Sequence, residues 1–412
     1  MSKKDRKPLV PKLRFPEFRN AGGWGFRVLE EFVRERNSIS TEIIPLFSLT
    51  IEDGITPKTE RYERSFLLNK EDNAYKVVYP NDLAYNPMNL RFGAIARHTG
   101  GEKVALSKYY DIFYCDNSVS SVFCEYYFKC SSMLDFYDRI ATGSLIEKRR
   151  VHFSQFLKFK IRFPSLAEQQ KIAECLSSLE DLITAEAQKL EALKAHKKGL
   201  MQKLFPADGK TIPEWRFPEF RGKGEWESAN LGSIFNNRQE RGFPSLPLMS
   251  LTEQDGIIPQ EGTNRKNNSD PDKSKYLRIC VGDVAYNTMR MWQGRCAYVD
   301  VEGIVSPAYT VCKPIKKNNG LFFYYYFKTF HMIREFHANS QGLVNDTLSL
   351  KYDSFSKISI FYPSVLEQQK IADCLSSLDE LITTQAQKIE ALKAHKKGLM
   401  QGLFPSAEEV SI

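Results

Sequence analysis

The sequence has 412 residues, of which 42% are hydrophobic and 26% are charged. This is ordinary globular composition, and the chain is long enough for about two to four domains with cores of their own. The N-terminus, Met1-Ser-Lys-Lys-Asp-Arg-Lys-Pro8, has no apolar signal core, and the longest apolar run, residues 321–327, is too short to span a bilayer. We therefore expect a cytoplasmic protein with no membrane segment.

The formal net charge is +8, from 58 Lys and Arg against 50 Asp and Glu. Basic side chains neutralise phosphates and release counterions, so the charge permits a polyanionic partner, although many basic proteins bind no nucleic acid. The eight cysteines contain no Cys-x-x-Cys pair, and the six histidines show no ligand spacing. Neither a disulfide framework nor a metal site is predicted.

The globular parts of the chain have an α+β pattern. Residues 77–86 and 277–287 predict strand, turn and strand, because apolar runs flank Asn, Asp and Gly. Further strands are expected at 112–115 and 309–312. Aromatic stretches then begin helical segments that run to Gly143 and Gly342. We expect these aromatic side chains to pack in a core, although exposed aromatics can also stack on bases.

A long segment is written twice. Residues 165–206 and 364–405 are related by a constant offset of 199, and 33 of these 42 positions are identical. Shorter matches precede each copy: Leu13-Arg-Phe-Pro-Glu-Phe18 with Trp215-Arg-Phe-Pro-Glu-Phe220, and Asp82-Leu-Ala-Tyr-Asn86 with Asp283-Val-Ala-Tyr-Asn287. The chain is therefore a tandem duplication in which the globular regions have diverged and the repeated segment has not.

Each repeated segment is predicted to be one long helix. Ser165 with Glu168, and Ser364 with Glu367, have the spacing of a capping box after a proline. Apolar residues then recur at three- and four-residue steps as a heptad seam. The seam residues are Ile172, Leu176, Leu179, Ile183, Leu190, Leu193, Ile371, Leu375, Leu378, Ile382, Ile389 and Leu392.

The simplest partner for each helix is its other copy, in an antiparallel coiled coil with a pseudo-two-fold arrangement. Glu186 and Gln385 interrupt the seam at one heptad place, and Lys197 and Lys396 interrupt it at another. Two interpretations stay open: these polar residues fix the register of the coil, or they emerge at its edge.

The predicted architecture is α+β, with two tandem globular α/β domains separated by the two long helices. The predicted segments are a first domain at 1–163, a helix at 164–206, a linker at 207–214, a second domain at 215–362, a second helix at 363–405 and a tail at 406–412.

Each half runs from Arg-Phe-Pro-Glu-Phe through Ala-Tyr-Asn-x-Met to Pro-Ser-x-x-Glu-Gln-Gln-Lys-Ile-Ala and closes with His-Lys-Lys-Gly-Leu-Met-Gln-x-Leu-Phe-Pro. This layout closely resembles the specificity subunit of type I restriction-modification systems, over nearly the whole chain. The resemblance implies two target recognition domains, each reading one half of a split, asymmetric DNA sequence. It also implies helices that set the spacer and carry two methyltransferase subunits.

The resemblance further implies that the chemistry belongs to partners. S-adenosylmethionine, ATP and Mg²⁺ are expected in methyltransferase and restriction subunits, and no cofactor is expected on this chain. Asn86-Pro-Met-Asn89 lacks the second proline and the aromatic of an amino-methyltransferase loop, and no Gly-rich nucleotide loop follows a strand. A stand-alone bipartite DNA-binding regulator is the alternative, and it would need no such partners.

In the family, the loop after Ala-Tyr-Asn-x-Met faces DNA. Arg can bond guanine edges, and Asn or Gln can bond adenine edges. The candidates here are Asn89, Arg91 and Arg97 in the first half, and Arg290, Gln293 and Arg295 in the second. Their alternative role is that of solvated loop residues or phosphate contacts.

A second candidate loop follows Gly143 and Gly342. In the first half it carries Ser144, Lys148, Arg149 and Arg150, a basic run that favours phosphate contact over base reading. In the second half it carries Asn345 with Asp346 and Thr347, which are hardly basic, so the two loops need not share a role.

Overall fold

A computed structural model describes residues 10–39, 44–58, 75–145, 148–252, 256–262, 272–344 and 347–404. The chain forms two compact units. The first unit consists of two segments of the chain, one up to Glu186 and one from Lys388 onward, and the second unit is the continuous segment from Ala187 to Gln387. Both breaks fall inside the long helices, so each helix contributes to both units. Among the residues described, no helix is long and apolar enough to cross a bilayer.

The first unit contains a mixed set of strands and helices. The strands are β1 (Gly25–Val28), β2 (Val33–Glu35), β3 (Phe47–Thr50), β4 (Gly54–Pro57), β5 (Tyr75–Val78), β6 (Leu83–Tyr85), β7 (Ile95–Arg97), β8 (Val104–Ser107), β9 (Asp111–Cys115) and β10 (Lys160–Phe163). The helices are α1 (Ser121–Phe128), α2 (Ser131–Ile140), α3 (Phe153–Phe156) and the long α4 (Leu166–Leu204).

The central sheet of the first unit has the order β2-β9-β6-β7 and is antiparallel. Strands β3 and β4 form a hairpin, and β5 pairs with β8, while β1 pairs with β10. Strand β6 is held on both sides, with Leu83 opposite Phe113 and Arg97. The end of β6, from which a candidate loop departs, is therefore fixed by two neighbours.

The second unit repeats this plan. Its strands are β11 (Glu227–Asn230), β12 (Phe235–Asn237), β13 (Met249–Leu251), β14 (Ile257–Pro259), β15 (Leu277–Ile279), β16 (Val284–Asn287), β17 (Cys296–Tyr298), β18 (Gly303–Val305), β19 (Tyr309–Pro314) and β20 (Ser359–Tyr362). Its helices are α5 (Gly320–Phe327), α6 (Phe330–Ala338), α7 (Tyr352–Phe355) and the long α8 (Val365–Leu403). The sheet order β12-β19-β16-β17 matches that of the first unit strand for strand.

The predicted strands are found, and the α+β prediction is confirmed. The strands at 77–78 and 83–85, however, lie in different sheets. The local sequence pattern predicts the strands but not which strands they pair with. The predicted single helical segments were wrong in detail. In each half the aromatic run closes one helix and a second helix follows, with breaks at Lys129–Cys130 and Lys328–Thr329.

The aromatic side chains pack in the core as expected. Phe123, Tyr127 and Phe128 are almost fully buried in the first unit, and Phe322, Tyr326 and Phe327 in the second. Trp24 meets Tyr127 edge to face, with ring centroids 6.0 Å apart. Trp226 meets Tyr326 in the same way at 6.3 Å. Both cores are therefore built around the same aromatic framework.

A buried ion pair anchors the start of α4. Ser165 Oγ accepts a hydrogen bond from the Glu168 amide, which is one half of the predicted capping box. The Glu168 carboxylate is instead directed at Arg14, which donates from Nε at 2.8 Å and from Nη2 at 2.7 Å. The hydrogen bond with Glu168 raises the pKa of Arg14. Trp24 Nε1 donates to the same carboxylate. The segment before β1 is thereby fastened to the helix.

The second unit contains the same anchor. Arg216 donates to both oxygens of Glu367, each at 2.6 Å. The following glutamine also has a shared role. Gln169 accepts from the Ser120 amide and donates to the Pro164 carbonyl, and Gln368 accepts from the Asn319 amide and donates to the Pro363 carbonyl. The repeated Glu-Gln pair therefore locks each long helix to the cap of α1 or α5.

The end of each long helix packs in the core of the other copy's globular region. In the first unit, Phe404 stacks on Tyr127 at 5.4 Å, and the Gly402 carbonyl accepts from the Leu13 amide. In the second unit, Phe205 stacks on Tyr326 at 5.1 Å, and the Lys203 carbonyl accepts from the Trp215 amide. Each unit therefore combines a globular region, the start of its own helix and the end of the other helix.

The helix segments within each unit run antiparallel. In the first unit, Glu180 pairs with Lys396 at 2.9 Å, while Glu186, further along α4, pairs with Lys388, further back along α8. Seam residues nearest the helix starts, Ile172, Leu176, Ile371 and Leu375, are buried in the globular cores. Ile389 is also buried, and the other predicted seam residues are half-buried: Leu179, Ile183, Leu190, Leu193, Leu378, Ile382 and Leu392.

Polar residues of the seam join the helices to the aromatic framework. Lys396 and Tyr126 both bond to Glu180. Burial alone would raise the pKa of Glu180, but these two hydrogen bonds outweigh it and lower the pKa. Lys197 and Tyr325 meet Asp379 in the same way, at 2.5 Å and 2.7 Å. These contacts favour the interpretation that the lysines fix the register of the helix pair. A shift of one helix along the other would separate Lys396 from Glu180 and Lys197 from Asp379.

Replacing Arg14 by Ala tests the anchor. The substitution leaves Glu168 buried without its partner, so the free energy of unfolding should fall by about 3–5 kcal/mol. Lys171→Ala is the control, because its pair with Glu17 is roughly half exposed on both sides and should contribute within about 1 kcal/mol. Urea denaturation measures both losses. Equal, small losses would contradict the importance assigned to the buried pair.

Candidate nucleic-acid interface

The candidate loop after β6 has a closely defined backbone. We call residues 86–94 the first loop of unit one. Asn86 accepts the Met88 amide on its side chain at 3.0 Å, and its own amide bonds to the Ala94 carbonyl. A short 3₁₀ turn, Leu90–Phe92, buries Leu90 and ends at Gly93, which has a φ of 92°. Side chains on this loop therefore have fixed directions.

The corresponding loop of unit two, residues 287–295, has the same hydrogen bonds. Asn287 accepts the Met289 amide at 3.0 Å, and its amide bonds to the Arg295 carbonyl. The turn Met291–Gln293 buries Met291 and ends at Gly294, whose φ is 74°. The two first loops thus share a backbone and differ only in their side chains.

A second loop lies beside each first loop. In unit one it spans residues 142–151, closed by paired hydrogen bonds between Thr142 and Arg150, and the Val151 amide donates to the Pro87 carbonyl at 3.0 Å. In unit two, Gln341 pairs with Ser349, and the Leu350 amide donates to the Thr288 carbonyl at 2.8 Å. The tertiary structure therefore brings both candidate loops together in each unit.

A buried tyrosine of the Ala-Tyr-Asn motif supports this junction. The Tyr85 hydroxyl donates to the Val151 carbonyl at 3.3 Å. Burial raises the pKa of Tyr85 well above its usual value, with Asp111 adding to the shift, so the hydroxyl stays protonated and able to donate. Burial likewise raises the pKa of the equivalent Tyr286.

The structure places the three candidates assigned to this loop in different environments, and it corrects one of them, because Arg97 lies outside the loop on β7. Asn89 is exposed beside the turn. Arg91 donates to Asp138 at 3.0 Å, and only 9% of its side chain is exposed. Arg97, on β7, pairs with Glu125 and donates to Asn81 at 2.7 Å. Asn89 is therefore available to a ligand, whereas the two arginines are engaged in structural ion pairs.

The basic run of the second loop is also divided. Ser144 and Lys148 are exposed. Arg149 bonds to the carbonyls of Ala141 and Asp138 and lies near the Asp138 carboxylate, so it closes the loop from within. Arg150 is half-buried, and its backbone pairs with Thr142.

In unit two, Gln293 and Arg295 are exposed and Arg290 is half-buried at the start of the turn. Asn345 lies outside the described residues. The two first loops are related by an offset of 201, which makes Asn89 equivalent to Arg290. The same offset makes Gln293 equivalent to Phe92, a residue that the sequence did not suggest as a DNA contact. Aligning the two copies residue by residue would have drawn attention to Phe92, whose exposed fraction is 53%.

Comparison with known proteins gives a family match. A family model described as the type I restriction modification DNA specificity domain matches residues 125–195 and 223–394, more than half of the chain. A curated protein of Methanocaldococcus jannaschii, named as the specificity subunit of the type I restriction enzyme MjaX, is 27% identical over 280 residues. That match covers 63% of this chain and 61% of the relative, so it spans less than two thirds of the relative's length.

Solved structures share the fold. The crystal structure of the S subunit of a type I restriction-modification system from M. genitalium matches with a TM-score of 0.60 and 15% identity, over 97% of this chain and 100% of that one. A chain from work on complex assembly and conformational transition of the type I restriction-modification system matches with a TM-score of 0.53 and 14% identity, over 93% and 98%.

Gly143→Ala tests the closure of the second loop. Gly143 has a φ of 153°, and an added Cβ would lie 2.9 Å from the Arg149 Cα atom. Strain of about 1–3 kcal/mol should open the loop, so hydrogen exchange at the Thr142 and Arg150 amides should be roughly 5- to 150-fold faster. In the control Gly199→Ala, the new Cβ meets nothing within 4 Å, and these amides should keep their protection. Unchanged exchange in Gly143→Ala would contradict the strained closure.

Proposed function

The chain belongs to the family of type I restriction-modification DNA specificity subunits, and from this premise we propose that it reads a bipartite, asymmetric DNA target. Each recognition domain binds one half-site through its two adjacent loops. The observation that carries the proposal is the pair of first loops, which keep every backbone hydrogen bond described above while their outward side chains differ. One scaffold with two surfaces is suited to two unequal half-sites.

The long helices support the bipartite part of the proposal. Each has 39 residues and is about 60 Å long at 1.5 Å per residue. A reader of split targets needs a rigid protein dimension to set half-site spacing. Helices α4 and α8, which each take part in both units, supply that dimension and act as a ruler for the spacer.

Two equivalent grooves support the proposal that two copies of one partner bind. In the first unit, a groove between α2 and the helix pair is lined by Lys129, Glu180, Lys393, Lys397 and Met400. The groove of the second unit presents Lys194, Lys198 and Met201 beside Lys328. Residues 194–202 and 393–401 are identical. Leu200, Met201, Leu399 and Met400 pack against the cores, but most of the other residues in these segments are exposed, so core packing alone does not account for their identity.

We propose that the occupants of these grooves are two methyltransferase subunits, through which restriction subunits join the complex. This chain then supplies recognition and scaffolding and no catalysis. S-adenosylmethionine, ATP and Mg²⁺ act in the partner subunits. A stand-alone bipartite regulator would use the same loops, but it gives no reason for two lysine-rich grooves that share the identical segments 194–202 and 393–401.

Exchange of one recognition domain tests the division of labour. Replacing residues 20–160 with the matching region of another specificity subunit should change one half of the methylated sequence, because each domain reads its half-site alone. Sequencing of methylated adenines in cells that express the chain with its methyltransferase gives the result. A change in both halves would refute the modular proposal, and tight specific binding without methyltransferase would favour the regulator.

Deletion of one heptad from both α4 and α8 tests the ruler. Seven residues shorten each helix by about 10 Å, close to three base pairs of DNA, and preserve the heptad seam. The methylated sequence should keep both half-sites and lose spacer length. Deletion from α4 alone is the control, because it mismatches the register contacts of Lys396 and Lys197 and should abolish assembly. An unchanged spacer in the double deletion would remove the ruler proposal.

A further inference from the structure

The two first loops divide their side chains into an inward and an outward set. With the offset of 201, Arg91 corresponds to Trp292 and Phe92 corresponds to Gln293. The backbone amides of Phe92 and Gln293 bond to the carbonyls of Asn89 and Arg290, at 2.9 Å and 3.0 Å. Because the backbones agree, a side chain at either position leaves its loop from the same place in the turn.

The inward position fastens the loop to the neighbouring helix. Arg91 reaches Asp138 on α2. In unit two, Trp292 packs edge-on against His337 of α6, with ring centroids 5.7 Å apart, and its Nε1 donates to the Met289 carbonyl. Asp138 and His337 are themselves equivalent at the offset of 199. Both members of the Arg91–Asp138 ion pair in unit one therefore differ in unit two, where Trp292 and His337 make an aromatic contact at the same place.

The outward position, Phe92 in unit one and Gln293 in unit two, does not fasten the loop to the neighbouring helix. The turn buries Leu90 in the core, whereas Phe92 leaves 53% of its surface exposed. The Arg91 guanidinium lies 4.4 Å from the centroid of the Phe92 ring and supports it from one side. Gln293 is exposed at the same place in unit two. A large apolar ring is therefore held at a fixed site beside the basic second loop.

We infer that Phe92, and not Arg91, contacts the bases of the first half-site, and that Arg91 is a positioning residue. The inference rests on the proposed function. Phenylalanine offers no hydrogen bond, and the apolar group that bases present in the major groove is the C5 methyl of thymine. Phe92 therefore reads a thymine methyl, while Gln293 at the same loop position reads an adenine edge. With phenylalanine in one unit and glutamine in the other, the same loop backbone makes an apolar contact to a base in one half-site and a hydrogen bond to a base in the other.

Replacement of thymine by uracil removes only the methyl group and tests this directly. The complex of this chain with its methyltransferase is assayed on its own target, with each thymine of the first half-site replaced in turn. One replacement should weaken binding by about fourfold, the value of one buried methyl-sized group. Phe92→Ala should bind the thymine target more weakly and lose nothing further on the uracil target.

Two variants sharpen the result. Phe92→Gln should move the preference at that base pair toward adenine, and it should fold because glutamine occupies the same turn in unit two. Lys148→Ala serves as the control. It removes an exposed charge from the second loop and should leave the ratio of thymine to uracil affinity unchanged, since a phosphate contact does not sense the methyl.

The inference is overturned if the first half-site contains no thymine, if no uracil replacement weakens the wild-type complex, or if Phe92→Ala keeps the wild-type ratio. Each of these outcomes leaves sequence-specific binding intact. Absence of sequence-specific binding by the wild-type complex would instead overturn the proposed function. The two failures are therefore distinguishable.

Discussion

The buried pair of an arginine with the first glutamate of a long helix is the interaction on which both units depend. Arg14 and Glu168 are almost fully removed from solvent, as are Arg216 and Glu367. Two charges in such a place are stable only with good geometry and further hydrogen bonds, which Trp24 and nearby carbonyls supply in the first unit. The pair fastens the start of the helix to the segment that precedes β1 and so sets the position from which the helix extends.

The repeated sequence has its explanation in contacts at both ends of each helix. The Glu-Gln pair fastens the helix start to its own globular region, while Leu-Phe at the helix end enters the core of the other. Phe205 and Phe404 stack on equivalent tyrosines. Most of the differences between the two repeated segments lie between these two ends, at positions 174–190 of the first copy and 373–389 of the second. Two cores thus constrain the two ends of each repeat, while the identity of the exposed residues in 194–202 and 393–401 is accounted for by the proposed partner grooves.

The candidate interface shows the opposite behaviour, because its backbone is shared and its side chains are not. Asn86 and Asn287 form the same turn, and Gly93 and Gly294 end it with the positive φ that glycine tolerates. Between these fixed points the anchor changes from Arg91 with Asp138 to Trp292 with His337. A rigid loop allows one outward residue to change without disturbing its neighbours, which is the property that a family of DNA readers with different targets requires.

The sequence by itself determined the duplication, the α+β class, the start and direction of the long helices and the region of the candidate loops. Those features depend on local spacing: caps, heptads, turn residues and a constant offset. Only the tertiary structure decided that β5 and β6 enter different sheets, that the Glu168 carboxylate turns to Arg14, and that Arg91 is engaged while Phe92 is exposed. These outcomes depend on partners 26 to 154 residues away along the chain, and no local pattern specifies which distant strand or side chain will be the partner.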